Sequence, residues 1–124
     1  AQIPSTIQAH HVMVLPYRES KKLSFLGQMR GTSGALSWAN ACGRGVITSN
    51  ARAFAEEVAG GNGITYQQGD TASLSNALSR LILDPQQAQQ WAARAGEIGH
   101  QRQWANTAQR FAELFRDACE EPLR

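Results

Sequence analysis

The sequence predicts an α/β fold in which about three parallel strands alternate with helices and are followed by further helices. Three observations lead to this prediction. Short apolar runs that contain β-branched residues occur at 12–16, 45–48 and 64–66. Segments with helical spacing of apolar residues lie between these runs, and three more such segments follow the last one. This alternation is typical of right-handed β–α–β units, which build parallel sheets.

The first predicted strand is the continuous apolar run 12–16, which ends at a proline. Such a run fits a strand that is covered on both faces, as in a parallel sheet. Residues 1–5 are expected to lack regular structure, and residues 6–11 to form a helical turn or the end of a helix whose start is missing. Residues 17–30 are polar and basic and predict a long loop, a kind of connection that is often functional in compact domains.

The stretch 31–48 predicts a loop, a helix, a turn and the second strand in immediate succession. Thr32 and Ser33 are good N-cap residues, and the glycines on either side leave the backbone open to a ligand. Gly43 suits the left-handed position that ends a helix. Because the first amides of a helix lack partners and carry the positive end of its dipole, this loop predicts an anion site. The helix is expected to bury one face, formed by Ala35, Trp38, Ala39 and Cys42.

Three helices are predicted after a short helix at 51–59 and the third strand at 64–66. Asp70 is expected to cap the first of them, and Asp84-Pro85 to begin the second as N-cap and N1. The second helix is expected to end near His100 and the third to begin near Gln103. Their buried faces are expected at Leu74, Ala77, Leu78 and Leu81, then at Ala88, Trp91, Ala92 and Ala95, then at Trp104, Ala108, Phe111, Phe115 and Ala118.

A sheet of three strands leaves an open edge, which is a hazard in an isolated chain. The sequence also begins directly before a strand that is expected to be buried. We therefore predict that the chain is the second half of a Rossmann-like doubly wound domain. The rest of a parent chain, or another copy of this chain in a homo-oligomer, is expected to complete it.

Composition restricts the location of the chain and its partners. No apolar run approaches the roughly 20 residues of a transmembrane helix, and residues 1–20 lack the pattern of a signal peptide. Two isolated cysteines, Cys42 and Cys119, favour reduced thiols and hence a cytoplasmic protein. Membrane association of a parent chain is left open. Few basic residues are present and aromatics are not interleaved with them, which argues against a nucleic-acid partner.

The basic residues are concentrated in the first half of the chain. Up to Ala55 there are six basic residues and one acidic residue, a net charge of +5. From Glu56 onward six basic and nine acidic residues give a net charge of −3. Positive potential around the predicted anion loop favours a phosphorylated ligand, although ordinary scatter of surface charge gives the same totals.

Several short motifs follow one another in a characteristic order and spacing. They are Leu15-Pro-Tyr17, Thr32-Ser-Gly34, Ala39-Asn-Ala-Cys-Gly-Arg-Gly-Val-Ile47, Asn62-Gly63, Gly69-Asp-Thr-Ala-Ser-Leu-Ser-Asn-Ala-Leu-Ser-Arg-Leu-Ile-Leu-Asp-Pro85 and Trp104. Together they resemble the C-terminal portion of a GT-B fold glycosyltransferase of family 4, the group 1 glycosyl transferases. The resemblance covers roughly residues 12–115.

The resemblance implies that residues 1–124 are the C-terminal part of a donor-binding domain, without the N-terminal acceptor domain and the first half of the donor domain. It implies a nucleotide-diphosphate sugar as the donor and a glycan, lipid or other molecule as the acceptor. The parent would be a hexosyltransferase-type enzyme, and this part alone is expected to be inactive. Neither a cofactor nor a metal ion is implied, because the family stabilises the departing diphosphate with a basic pair that lies upstream of this sequence.

The resemblance also implies which residues face the donor. The loop that contains Arg30, Gly31, Thr32, Ser33 and Gly34 would bind the diphosphate. Further residues expected to line the donor site are Tyr17, Trp38 and Glu56. Most members of the family have two glutamates eight positions apart here, at the positions of Arg30 and Trp38. The second glutamate usually holds the ribose of the nucleotide, and a tryptophan cannot accept its hydroxyl groups. No catalytic residue is indicated.

Two other interpretations stay open. The first is a non-catalytic nucleotide-binding or assembly module derived from this fold, which the missing glutamates favour. The second is a sugar-nucleotide epimerase of the same fold, which would need acidic residues from outside this sequence. The glycine-rich segment 60–63 resembles a phosphate-binding loop but follows a predicted helix rather than a strand, so it is expected to be a turn.

Overall fold

A computed structural model describes residues 2–19 and 33–120, which form three strands and six helices. The strands agree with the three predicted runs to within one residue at each end. They are β1 (Val12–Leu15), β2 (Gly45–Ser49) and β3 (Gly63–Tyr66). The helices are α1 (Ile3–Gln8), α2 (Gly34–Ala41), α3 (Phe54–Val58), α4 (Thr71–Leu83), α5 (Pro85–Gln101) and α6 (Trp104–Glu120).

The three strands form one parallel sheet in the order β1-β2-β3. Val14 lies opposite Ile47, and Ile47 lies opposite Ile64. Every residue of the central strand β2 is buried. The predicted parallel α/β sheet is therefore confirmed. In the described part of the chain, β1 and β3 each pair along one side only.

Successive residues of β2 point to opposite faces of the sheet and begin two separate cores. On one face, Val46 belongs to a cluster with residues of α2 and α3, including Leu36 and Phe54. On the other face, Ile47 belongs to a cluster with residues of α4 and α5, including Ala77 and Trp91. Helices thus cover both faces of the sheet, as in a doubly wound domain.

The end of α2 follows the prediction, and its buried face does so in part, since Ala39 and Cys42 are buried and Ala35 packs against the core. Gly43 has a φ of 63°, and its amide and that of Arg44 donate to the carbonyls of Asn40 and Ala39, which is a Schellman ending. Trp38, however, is 44% exposed, so its predicted burial is wrong. Leu36, which the prediction left out of this face, is 1% exposed and packs in the core. The buried residues of α2 are Leu36, Ala39 and Asn40.

The N-terminal helix begins earlier than expected, since no regular structure is predicted for residues 1–5. Helix α1 begins at Ile3, with Pro4 in its first turn, where the missing proline N–H costs nothing. The guanidinium of Arg44 donates to the carbonyls of Gln8 and His10, at 2.6 and 2.7 Å. These bonds hold the end of α1 against the start of β2, and such long-range bonds leave no local signal in the sequence.

Helices α4 and α5 agree with their predicted starts and buried faces. Asp70 caps α4 by accepting a hydrogen bond from the Ser73 amide at 3.1 Å. Pro85 opens α5 directly after Asp84, which makes no side-chain cap bond. Ala77 of α4 and Trp91 of α5 are buried as expected.

No helix among the described residues is long and apolar enough to cross a membrane.

Helix α6 begins where it was predicted, but its apolar face is not buried. Trp104 is 88% exposed, and Phe111 and Phe115 are more than half exposed. Within residues 2–19 and 33–120, α6 makes no extensive contact with the sheet or another helix. The amphipathic pattern correctly predicts a helix, but it does not indicate which segment covers the apolar face.

Helix α5 lies close against α2 and the start of β2. Gly99 has no room for a side chain, because a Cβ atom there would overlap the backbone of Asn40. A Cβ atom on Gly45 would lie 2.5 Å from the Cβ of Trp91. The Arg102 guanidinium also pairs with the Glu57 carboxylate of α3, at 2.7 Å. These contacts fix α5 against the start of β2 and against α2 and α3.

Candidate functional site

The carboxyl ends of the three strands lie at one edge of the sheet. The segments that follow them are 16–19 after β1, 50–53 after β2 and 67–70 after β3. In open parallel sheets, ligands bind in the crevice outside these ends. The N-terminus of α2 reaches the same edge, because Ser33 at its N-cap contacts the segment that follows β1. We call this group of segments the carboxyl edge.

Tyr17 and Ser33 join the segment after β1 to the start of α2. The Tyr17 hydroxyl lies 3.1 Å from the Ser33 hydroxyl, within hydrogen-bond distance. Ser33 is the N-cap residue and is only 3% exposed, but its side chain makes no cap bond. The predicted N-cap is therefore confirmed, whereas its hydroxyl is used to hold Tyr17. The Ser33 side chain thus does not occupy the amides of the first turn of α2, which keep their capacity to bind an acceptor.

Two side chains pack against the ring of Tyr17. Phe54, which is 1% exposed, has its ring centroid 5.3 Å from that of Tyr17. The guanidinium carbon of Arg52 lies 5.0 Å from the Tyr17 centroid, which is a cation–π distance. The core therefore supports Tyr17 through Phe54, and the positively charged guanidinium of Arg52 lies over the Tyr17 ring.

The backbone of Arg52 is unusual. Among the described residues other than glycine, Arg52 alone has a positive φ, of 54°. An L-residue in this region is strained by about 1–2 kcal/mol. The Arg52 amide donates to a carboxylate oxygen of Glu19 at 2.7 Å, which holds the turn in place. No acidic side chain within the described ranges forms an ion pair with the Arg52 guanidinium.

Hydrogen bonds link the segments after all three strands. The Asn50 side chain donates to Gln67 Oε1 and accepts from the Gln68 amide, both at 2.9 Å. The Gln68 side chain in turn accepts from the Glu19 amide at 3.0 Å. The Gln67 amide donates to the Ser73 hydroxyl in the first turn of α4. The carboxyl edge is thus one connected polar network.

The structure brings together only part of the predicted site. Tyr17, Ser33 and Gly34 lie at the carboxyl edge, whereas Arg30, Gly31 and Thr32 lie outside the described residues. Trp38 lines a different groove, with Met13 and residues of α1. Glu56 is exposed in the first turn of α3 and takes no part in the hydrogen-bond network among the described residues. The roles proposed for these residues stay predictions.

Sequence reasoning missed five residues of the carboxyl edge: Glu19, Asn50, Arg52, Gln67 and Gln68. Asn50 could have been found, because it is the first polar side chain after a buried strand. Arg52 was counted only as part of the positive charge of the first half. Its position follows from a bond to Glu19, 33 residues away, and no local pattern indicates that bond.

An open parallel sheet with helices on both faces defines a Rossmann-like fold. Residues 1–84 match the family model described as glycosyl transferases group 1, and the chain belongs to this family. The family inferred from the motifs is therefore confirmed. No curated protein sequence is similar enough to the chain to add a comparison.

A solved structure shows the same fold. The chain is similar to sucrose-phosphate synthase from Thermosynechococcus elongatus, with a TM-score of 0.69 and 23% sequence identity. The similarity covers 91% of this chain and 26% of that protein, so the chain spans about a quarter of its length. The predicted Rossmann-like GT-B half is thereby confirmed as a fold.

Proposed function

We propose that this chain is the donor-binding part of a glycosyltransferase and holds the diphosphate of a nucleotide sugar at the carboxyl edge. Ser33 and Gly34 would contact the diphosphate together with Arg30, Gly31 and Thr32, which precede them. One observation carries the proposal: Tyr17 fixes the N-terminus of α2 at the edge where parallel sheets bind ligands. Membership of the group 1 glycosyl transferases supports sugar transfer as the reaction.

The chemistry of the proposal lies in the leaving group. When a sugar leaves its nucleotide, negative charge develops on the diphosphate. In this proposal the amides of the first turn of α2 and the positive end of the helix dipole face the diphosphate. Both are in place before the reaction begins, so they stabilise the developing negative charge without reorganising. The proposal concerns donor binding, and no turnover is expected from this chain alone.

The proposal is tested by calorimetric titration of the chain with UDP, GDP and ADP. We expect one of them to bind, and Arg30→Ala to weaken its binding by about tenfold, because a charged hydrogen bond is lost. Ser33→Ala should weaken it by a few-fold, about the value of one neutral hydrogen bond. Arg80→Ala, in the last turn of α4, is the control for loss of one positive charge. Absence of binding, or equal affinity in all four proteins, would contradict donor binding.

A second candidate is a non-catalytic nucleotide-binding or assembly module. Trp38 favours it, because this residue stands where the family usually has the ribose-binding glutamate and its indole offers only a donor. The exposed apolar face of α6 favours assembly for a separate reason.

Self-association, measured together with nucleotide binding, distinguishes an assembly module from a donor-binding domain. Sedimentation analysis over a range of concentrations is expected to give a dimer or larger species, because within the described residues β1 and β3 each pair along one side only and α6 exposes apolar side chains. A monomer at all concentrations would argue against assembly. Self-association without binding of UDP, GDP or ADP would favour the second candidate over the first.

A further inference from the structure

We propose that Arg52 is a binding residue for the donor diphosphate, held over Tyr17 until a phosphate is present and then paired with it. This inference rests on the proposed function, since it assigns a further residue to the same site. Its starting point is the combination of a left-handed backbone at Arg52 and a guanidinium placed over an aromatic ring.

The backbone of Arg52 determines where its side chain goes. A glycine would adopt the φ of 54° without strain, whereas arginine adopts it only because the turn is held from outside. The Glu19 carboxylate provides that hold by accepting the Arg52 amide at 2.7 Å. As a result, the β2–α3 turn directs the long side chain across the carboxyl edge to Tyr17.

The Tyr17 side chain connects the Arg52 guanidinium to the start of α2. Its carbon is 5.0 Å from the Tyr17 centroid, and the Tyr17 hydroxyl is 3.1 Å from Ser33 Oγ. The basic side chain in the segment after β1, Arg18, lies against Gly69 of the β3–α4 turn instead. Of these two arginines, Arg52 is therefore the one directed toward the proposed diphosphate.

The charge of Arg52 is not neutralised by the residues that surround it in the described part of the chain. The ion pairs found there join Arg94 to Glu97 and Arg102 to Glu57. The Glu19 carboxylate, the nearest acid in sequence to Tyr17, binds the Arg52 amide rather than the guanidinium. Stacking on Tyr17 leaves the N–H donors at the rim of the guanidinium available for other partners.

These properties match a phosphate ligand. A guanidinium binds two phosphate oxygens with two parallel N–H bonds, which a point charge cannot do. The Tyr17 ring limits the conformations of the side chain before binding, so less entropy is lost when the phosphate arrives. Arg52 would thus add a bidentate cation to the amides of α2.

The test compares Arg52→Gly, Arg52→Lys and the remote control Arg80→Gln with the unchanged chain. Each is titrated with UDP, GDP, ADP and inorganic pyrophosphate, and each is unfolded with urea. Arg52→Gly should bind about tenfold or more weakly, Arg52→Lys should be intermediate, and Arg80→Gln should be unchanged. The urea midpoint of Arg52→Gly should be equal or higher, because glycine relieves the backbone strain.

The outcomes separate the inference from the proposed function. Equal affinity of Arg52→Gly and the unchanged chain would overturn the role of Arg52 and leave donor binding intact. A fall in both the affinity and the urea midpoint of Arg52→Gly would assign Arg52 a structural role and also overturn it. If the unchanged chain binds none of the four probes, the proposed function fails and the inference fails with it.

Discussion

Phe54→Ala is expected to lower the free energy of unfolding by about 3–5 kcal/mol, the usual cost of removing a fully buried aromatic side chain. Phe54 is 1% exposed and packs in the core formed by β2, α2 and α3. The loss is large compared with the 5–15 kcal/mol that small domains typically have. Urea unfolding followed by circular dichroism measures it.

The matched control for this prediction is Phe111→Ala in α6. Phe111 is 55% exposed, so its removal should change the free energy of unfolding by about 0.5 kcal/mol or less. Phe54→Leu serves if the alanine variant does not fold, and it should still be less stable than the unchanged chain. Because Phe54 also packs on Tyr17, Phe54→Leu should weaken nucleoside diphosphate binding as well. Similar losses for Phe54→Ala and Phe111→Ala would show that this core has been assigned wrongly.

Two glycines of α5 should respond in opposite directions to the same change. Gly96→Ala should raise the free energy of unfolding by up to about 1 kcal/mol, because no atom lies within 4 Å of the new methyl group and alanine favours a helix. Gly99→Ala should lower it by about 1–3 kcal/mol, because the methyl group would overlap the Asn40 backbone. The backbone of α2 cannot move aside as a flexible side chain could.

Thermal and urea unfolding of both glycine variants give the comparison directly. The pair controls for helix propensity, since both positions lie in the same helix and the substitution is identical. If Gly99→Ala were as stable as Gly96→Ala, α5 would not pack against α2 as described. That result would also show that Gly99 does not lie against the backbone of Asn40 at the end of α2.

The sheet could be predicted from the sequence because its central strand is buried on both faces. A strand in that position needs side chains that can be buried on both faces, and Gly45–Ser49 provides three β-branched residues in succession. Asp70 and Gly43 were also predictable, since a cap or a left-handed ending depends on residues only a few positions away. These features are local, and local chemistry determines them.

The errors concern contacts between distant segments. Helix α1 is held by Arg44, more than 30 residues further along the chain. Trp38 is exposed although its spacing places it on the predicted face of α2, and Leu36 packs in the core. The apolar face of α6 is exposed because no described segment covers it. For α2 and α6 the periodicity identified the helix but did not determine which side chains are covered, and for α1 it did not indicate where the helix begins.

The residues of the candidate site also fall into those that the sequence indicates and those that depend on contacts between distant segments. Tyr17, Ser33 and Gly34 could be predicted because a resemblance to a family transfers residues one position at a time. The left-handed turn at Arg52 could not, because it depends on a carboxylate from the segment after β1. Asn50 and the glutamines after β3 form their network only when the sheet brings the three carboxyl ends together.

The central claim is that the carboxyl edge binds the diphosphate of a nucleotide, and amide chemical shifts test it most directly. The ¹⁵N-labelled chain would be titrated with UDP, GDP and ADP. We expect saturable shifts at Tyr17, Ser33, Gly34 and Arg52 for at least one of them, and none at Gly96 or along α6. Shifts confined to the groove of Trp38 and α1, or no saturable shifts with any of the three, would contradict the claim.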